Sequence, residues 1–341
     1  MKLRAFHFLL AALAFGSSHA AETLSVVPDS AQALSTVGGR FANLDDASAT
    51  RVSPANIVEI ERPELLINLA AWNGDIRFDG ATSSSVKMSQ SWVYPGSLYF
   101  VAPIVPKKVA FGFGISSPFG MAATFPKEMD PALRYVIPYE ARLLALDFTP
   151  ALSFKVAKNL NVAVGMDIIY SELTLGRIYP WFAGPFGPGP NGPEGELEMK
   201  GSGWGVGGYA GINWEFAKGH RIAVVGRLPV TINYEGEHKF SNIPAAAQGV
   251  GFSDRGTFQS DMTFPGSIAV GYGVDVTDRL TLGFDFQWSD NSSHDDIPLD
   301  LGNNQPLLGG ANGAALSWKD SIDLGTGVTY KLNKNWLLRG G

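Results

Sequence analysis

From about residue 109 onward the chain keeps returning to a period of two, the spacing of a strand with one apolar face and one small or polar face. Over 280–288 the even positions are Leu280, Leu282, Phe284, Phe286 and Trp288, and the odd ones are Thr281, Gly283, Asp285 and Gln287. Over 162–170, Val162, Val164, Met166, Ile168 and Tyr170 alternate with Ala163, Gly165, Asp167 and Ile169. Ile222, Val224, Leu228, Val230, Ile232 and Tyr234 face away from Arg227, Thr231, Asn233 and Glu235, and 204–216, 268–276 and 322–332 follow the same rule. The pattern predicts strands over 64–79, 92–103, 108–116, 141–155, 162–175, 203–216, 221–236, 264–276, 280–290 and 316–332, with a further strand beginning at Trp336.

Alternation of this kind fits a soluble sandwich as well as a membrane barrel. In a sandwich the large residues form a packed interior; in a barrel they face lipid and the small or polar set lines the lumen. Trp204, Trp214, Tyr234, Trp288, Tyr330 and Trp336 stand at strand ends, where interfacial aromatic girdles lie, and favour the barrel. Short polar turns at 157–161, 217–220, 277–279 and 333–335 alternate strictly with long linkers near 176–202, 237–263 and 290–316. Tight periplasmic turns and long outer loops alternate in the same way, which puts the start of the chain on the periplasmic side. The expected fold is therefore all-β, a transmembrane antiparallel β-barrel over 63–341. The sequence stops within a strand at Leu338-Arg339-Gly340-Gly341. Because an open edge in lipid leaves backbone groups unpaired, a barrel truncated at its C-terminus is expected.

Composition agrees: 40 glycines, 11% aromatic and 17% charged residues favour strands and turns over helices. Residues 1–20 read as an export signal, with Lys2 and Arg4, an apolar run from Phe6 to Phe15 broken only by His7, and Ser18-His19-Ala20 as the cleavage site. No later stretch supplies the ~18 uncharged apolar residues of a membrane helix. There is no cysteine, hence no disulfide framework and no thiolate metal site. A net charge of -6 argues against a nucleic-acid partner. No metal-ligand spacing, phosphate-cradling glycine motif or nucleophile elbow stands out, so neither a metal nor a cofactor is expected. The histidines of the mature chain, His220, His238 and His294, fall in a turn and two long loops, and His294 with Asp295 and Asp296 reads as a solvated loop.

Residues 21–62 do not alternate and are rich in Ala, Ser, Gly and Asp. Asp29 or Ser30 is placed to cap a short helix through Leu34, and Pro54 to end whatever follows Asp45. Small residues entering from the periplasmic side are expected to fold into the lumen as a plug, a periplasmic tail being the alternative. Inner-face glycines, among them Gly112, Gly114, Gly165, Gly205, Gly207, Gly271 and Gly283, leave room for such a plug.

Several segments carry a resemblance that spans nearly the whole mature chain. They are Ser53-Pro54-Ala55, Ser97-Leu98-Tyr99-Phe100-Val101-Ala102-Pro103-Ile104, Gly112-Phe113-Gly114-Ile115-Ser116-Ser117-Pro118-Phe119-Gly120, Gly203-Trp204-Gly205 through Asn213, Trp318-Lys319-Asp320, and Leu324-Gly325-Thr326-Gly327-Val328-Thr329-Tyr330. Their order and spacing resemble the FadL and TodX family of outer-membrane transporters for long-chain fatty acids and other hydrophobic compounds. The resemblance implies a barrel of about fourteen strands in the bacterial outer membrane, with an N-terminal hatch over 21–62. It further implies capture of ligand in an outer groove, transfer to an inner pocket and sideways release through a kink in the third strand. That strand carries Ser116-Ser117-Pro118, followed by Phe119 and Gly120. Proline removes a ladder hydrogen bond, so a local break is expected, although Pro118 at the start of a surface loop is an equal reading. The family's Asn-Pro-Ala hatch motif stands here as Ser53-Pro54-Ala55, which puts any contact of the asparagine amide in doubt.

By the same resemblance, Arg177 and Lys319 match basic residues that meet the ligand headgroup. Arginine presents a planar fork to a carboxylate; a solvated strand end is the alternative for Arg177. Trp181, Phe182 and Phe186, in a Pro/Gly-rich loop, are expected to line the outer groove as exposed aromatics. The expected partners are a hydrophobic small molecule and outer-membrane lipid, with the protein acting as a monomer and not as an enzyme. Alternatives are a channel for aromatic hydrocarbons and a general porin, although the inward positions, mostly Gly, Ala, Thr and Asp, lack the charged constriction of a porin. A hydrolase is disfavoured for want of a nucleophile and base set.

Overall fold

The structure, a computed structural model, describes residues 29–341 except 75, 80–84, 90–91, 136, 182–193, 250, 294–295, 303–312 and 316–317. The expected export signal, and with it Phe182, Phe186, His294 and Asp295, lies outside the described residues.

The strands are β1 (Glu64–Leu69), β2 (Trp72–Asn73), β3 (Arg77–Asp79), β4 (Ser85–Lys87), β5 (Trp92–Val93), β6 (Gly96–Val105), β7 (Val109–Ser116), β8 (Gly120–Thr124), β9 (Glu140–Ala157) and β10 (Leu160–Tyr179). They continue as β11 (Gly195–Ala217), β12 (His220–Arg227), β13 (Val230–Phe240), β14 (Arg255–Phe264), β15 (Ser267–Thr277), β16 (Leu280–Ser289), β17 (Asp296–Pro298), β18 (Gly313–Ala315), β19 (Ser321–Lys331) and β20 (Leu337–Gly340). A fourteen-stranded sheet follows the order β1-β6-β7-β9-β10-β11-β12-β15-β16-β19-β20, with β8 paired to β9, β13 to β11, and β14 to β13. Every pairing is antiparallel. The sheet is not closed: among the described residues β1 pairs only with β6, and β20 only with β19.

Local chemistry fixes the tight turns. Lys107 and Gly219 take left-handed backbone conformations, at φ 57° and 73°. Thr277 Oγ1 accepts from the N–H groups of Arg279 and Leu280 at 3.2 and 3.0 Å, and Asn333 Oδ1 accepts from those of Asn335 and Trp336 at 2.9 and 3.0 Å. Side chains of this kind replace the missing ladder partner at a reversal.

The bulky set forms the outer surface. Val164, Met166, Trp204, Val206, Phe284, Phe286 and Ile322 are exposed, and Leu324 is 78% exposed. Residues of the other face, among them Ala163, Asp167, Tyr209, Ala223, Ala269 and Asp285, are buried. This inversion separates a membrane barrel from a sandwich, since lipid is the solvent such an exterior requires. No helix among the described residues is long and apolar enough to cross a membrane.

Several expected boundaries move. The strand predicted over 64–79 ends at Leu69, and its remainder joins the small ribbons β2–β5 and β3–β4. The one predicted over 221–236 is two strands, broken at Leu228-Pro229, where proline has no N–H to give the ladder. The linker 237–263 holds the end of β13, a short helix Ala245–Gly249 and β14; Pro265-Gly266 then separates β14 from β15. β10 and β11 run further than the alternation predicted, into the linker 176–202. The last long strand starts at Ser321 instead of 316.

Short helices Ala31–Ser35, Arg40–Asn43 and Ala49–Val52 and a 3-10 turn Pro54–Glu59 pack on the inner face, in the half nearer the tight turns. Ser30 caps the first, its Oγ accepting from Ala33 N–H at 3.0 Å. Helix Ala49–Val52 ends before Pro54, which then opens the 3-10 turn with its fixed φ. Glycines on the wall permit the close approach: a Cβ at Gly112 would lie 2.5 Å from Thr50 Oγ1, and one at Gly283 would lie 2.4 Å from Gly39 Cα. Gly271 meets Phe41 in the same way. The other inner glycines serve different neighbours: Gly114 faces Tyr99 and Thr149, Gly165 faces Tyr209, and Gly205 and Gly207 face β13.

Candidate functional site

The inner face is stacked in tiers, legible along β10 from its tight-turn end. Asn161, at that end, donates to Glu59 at 2.8 Å, and Lys155 on β9 reaches the same carboxylate at 2.8 Å. Next comes an apolar cluster in which Phe41, Leu44, Val52, Ile57 and Val58 of the N-terminal segment meet Val101, Ala151, Tyr209 and Val225 of the wall. Side chains from many strands hold the segment: Ser97 Oγ donates to Asp29 O at 2.7 Å, Ser153 Oγ to Ala55 O at 3.2 Å, Tyr209 to Thr50 O at 3.0 Å, and Asp285 Oδ2 accepts from Arg40 N–H at 2.8 Å.

Ser53-Pro54-Ala55 lies at the centre of this contact. Ser53 Oγ donates to Phe41 O at 2.6 Å, Pro54 is the neighbour a Cβ at Gly211 would meet, at 3.3 Å, and Ala55 O takes the bond from Ser153. The buried amide of this stretch is Asn56. Asn56 donates to Phe41 O and Leu44 O at 3.1 and 2.9 Å, and its Oδ1 accepts from Asn213 Nδ2 at 2.6 Å. The sequence motif drew attention away from Asn56, whose only signal was a lone asparagine in an apolar stretch.

Above this lies a buried ionic tier that sequence reasoning missed. Arg51 reaches Asp29 at 3.2 Å and Asp147 at 3.5 Å; Arg227 pairs with Asp167 and donates to Arg51 O at 2.8 Å; Tyr99 donates to Asp29 at 2.6 Å. A guanidinium and carboxylates out of water persist only when paired, so these contacts fix where Arg51 sits. The usable signal was Asp147, Asp167 and Arg227 at inward positions in the middle of the chain's apolar alternation.

The third tier is apolar. Leu143, Ile169, Leu173, Met199, Val230, Ile232, Tyr234, Phe258, Met262 and Phe264 form one buried cluster, and Phe119 stacks on Phe264 with centroids 4.4 Å apart. Phe119 belongs to the interruption predicted at Ser116-Ser117-Pro118. β7 ends with Ser116 opposite Asp147, and β8 resumes with Gly120 opposite Leu144, so Ser117, Pro118 and Phe119 stand against only Ala145 and Leu146. Beyond the break β8 keeps β9 but not β6, whose ladder with β7 ends at Leu98↔Ile115. The wall strand is thus broken, and Pro118 does not merely open a surface loop.

The predicted ligand residues fall at the upper rim. Arg177, half-buried near the end of β10, donates to Tyr135 O at 3.1 Å, while its buried Nε has no hydrogen-bond partner among the described residues. Lys319 is exposed ahead of β19. Its neighbours divide: Trp318 packs on the apolar tier, and Asp320 accepts from Ser292, whose hydroxyl and backbone N–H hold the carboxyl below the usual range. No contact joins Arg177 to Lys319 among those described. Trp181 is not an exposed aromatic as expected. It is buried among Tyr179 and Phe240 and donates from Nε1 to Ser241 O at 3.1 Å. His238 is likewise buried, within β13 instead of a loop. Among the described residues no group of His, Asp and Glu is arranged to hold a metal.

Comparisons with known proteins agree with this architecture. The chain is 22% identical over 334 residues to a long-chain fatty acid transport protein of Escherichia coli, covering 89% of this chain and 72% of that one. A Pseudomonas aeruginosa FadL homologue superposes with a TM-score of 0.79 at 17% identity, covering 93% of this chain and 79% of its own. The toluene transporter TbuX of Ralstonia pickettii gives 0.72 at 19% identity, covering 93% and 85%. The profile of the family described as outer membrane protein transport protein (OMPP1/FadL/TodX) matches residues 9–341. An outward-facing apolar sheet, a wall strand broken at Pro118 and a match over nearly every residue lead to one conclusion: the chain belongs to this family of transport proteins of the bacterial outer membrane.

Proposed function

We propose that the protein takes up hydrophobic compounds, above all long-chain fatty acids, as a monomer in outer-membrane lipid, by capture at the upper rim, passage into the apolar tier and lateral release at the break after Ser116. Residues 21–62 act as the hatch, of which 29–62 are described. The observation that carries this reading is the Phe119–Phe264 stack, because it links the broken wall strand directly to the buried apolar tier. Below that tier the N-terminal segment and the Arg51 ion pairs leave a greasy ligand no dry axial route, and a sideways exit keeps an alkyl chain out of water throughout. The named function of the Escherichia coli relative supports fatty acids; the toluene transporter keeps aromatic hydrocarbons as a further cargo.

Deleting Ser117 removes the residue that puts three positions against two and lets β7 run into β8 in one register. The deletion variant, inserted in the membrane at wild-type level, should bind fatty acid yet lose most of its uptake in whole cells. Unchanged uptake would remove the lateral route from the mechanism.

A further inference from the structure

The glycine-rich stretch of β11 contains a second fault in the wall. β11 pairs with β13 over Leu197–Ser202 and with β12 over Tyr209–Ala217, but residues 203–208 between them have no ladder partner on that side, apart from Leu228 N–H donating to Gly208 O at 2.9 Å. The neighbouring chain has left the wall. A Cβ at Gly203 would lie 2.1 Å from Asn233 O, one at Gly205 would lie 2.6 Å from Thr231 O, and one at Gly207 would lie 2.5 Å from Val230 Cγ2. These glycines point inward, in register with Tyr209 and Asn213, so the lower half of β13 crosses over the inner face of β11. Its Tyr234 hydroxyl accordingly meets Ser171 Oγ on β10 at 2.9 Å. Two prolines at the same height enforce the departure. Pro229 separates β12 from β13 and Pro265 separates β14 from β15, and neither can donate to a ladder.

Outside the fault lies a depression floored by glycine. A Cβ at Gly226 would meet nothing within 4 Å, and one at Gly208 would meet nothing nearer than 3.8 Å. Trp204, Val206, Leu228 and Ile268 flank it, all exposed. Strand edges without partners are expensive in hydrocarbon and are kept where they do something. Behind the fault Val230 and Ile232 belong to the buried apolar tier, so a single strand separates that tier from the membrane. Toward the rim, along β11 from Ser202 to Glu198, lies an outer cleft of about 430 Å³ in which Glu198, Glu235 and Glu237 outnumber Lys200 and Lys239.

We infer that this fault is a second lipid-facing site, which takes one alkyl chain with an uncharged head. The trough runs diagonally across the strand pair from Gly208 to Gly226, which is opposite Ala210, its sides are apolar, and the acidic rim repels a carboxylate. The inference rests on the transporter reading only for the kind of cargo.

The test uses the full protein in lipid nanodiscs and two photoreactive probes, a long-chain alcohol and the matching fatty acid, each with a diazirine at the tail end. Labelled residues are mapped by mass spectrometry. The alcohol should label Trp204, Leu228 and Ile268 several-fold more than Ile67 and Leu324, which are exposed on β1 and β19, and the fatty acid should show a smaller excess. Gly226→Trp, filling open space, should abolish the excess, as should Gly208→Leu. Uniform labelling of the outer face, or an excess that survives both substitutions, overturns the site. Labelling of Phe258 and Phe264 without the fault residues overturns this site alone; labelling of neither set overturns the transporter reading with it.

Discussion

The Arg51 guanidinium lies between Asp29, in its own segment, at 3.2 Å and Asp147, on the inner wall, at 3.5 Å, and Asp147 is 1% exposed. One cation therefore fastens the N-terminal segment to β9. Removing one partner of a buried pair costs about 3–5 kcal/mol, because the other is left charged and unpaired. Arg51→Ala should loosen 29–60 while the sheet, held by its own ladders, stays folded. Hydrogen exchange over that segment should speed up strongly and single-channel conductance should rise; an exchange pattern like that of the wild type would deny Arg51 this role.

Steric fit makes a second prediction independent of charge. At Gly283 a Cβ would collide with the backbone of Gly39 at 2.4 Å, and backbone cannot swing aside as a side chain can. Gly283→Val should displace the segment at Arg40–Asn43 and destabilise the protein by about 1–3 kcal/mol, the usual range for overpacking. Gly226→Ala, which meets nothing, should leave the melting temperature unchanged. Equal effects of the two in a thermal unfolding series would contradict the contact.

Asn56 offers a third. Its amide serves Phe41 O, Leu44 O and Asn213 in a buried place; in Asn56→Leu, Phe41 O keeps Ser53 and Asn213 keeps Ala42 O, but Leu44 O loses its side-chain donor, at a cost of about 1–3 kcal/mol. Ser53→Asn, which restores the motif of the family, should not rescue Asn56→Leu, since position 53 already bonds Phe41 O through its hydroxyl. Protease protection of the N-terminal segment reads both variants, and rescue would mean that the two positions are interchangeable.

Much of this architecture was legible in the sequence because strands with one lipid-facing side write their register as a period of two. Val162 to Tyr170 and Leu280 to Trp288 face as the alternation required, and the tight turns at Lys158, Gly219 and Asp278 fell where polar residues interrupted it. The break at Pro118 was legible for a different reason, since one residue type forbids one hydrogen bond. Pro229 and Pro265 carried the same information, yet the apolar run from Leu228 to Tyr234 masked the first break, because β13 faces a buried tier with the residues that would otherwise face lipid. Gly205 and Gly207 were legible as space, but not as space for β13: a glycine records that something comes close and not what does. The Arg51 network was hidden because its members, Asp29, Arg51, Asp147, Asp167 and Arg227, are separated along the chain and meet only in the fold.

The rim supplies the last prediction. Arg177 spends one donor on Tyr135 O, its buried Nε has no hydrogen-bond partner among the described residues, and its planar fork is of the kind a carboxylate accepts. Lys319 stands exposed beside Trp318, which reaches the apolar tier, and so carries a charge at the edge of a greasy surface. A hydrogen bond to a charged group contributes about 1.5–3 kcal/mol, or roughly one to two powers of ten in affinity. Arg177→Ala with Lys319→Ala should weaken fatty-acid binding by about that factor while leaving an uncharged alkane or toluene nearly unaffected, because neither has a headgroup to lose. Titration calorimetry of the purified double variant with both ligand types decides the matter. Parallel losses would mean that the two side chains shape the rim instead of reading the carboxylate, and the preference for acids over hydrocarbons would have to come from elsewhere in the chain.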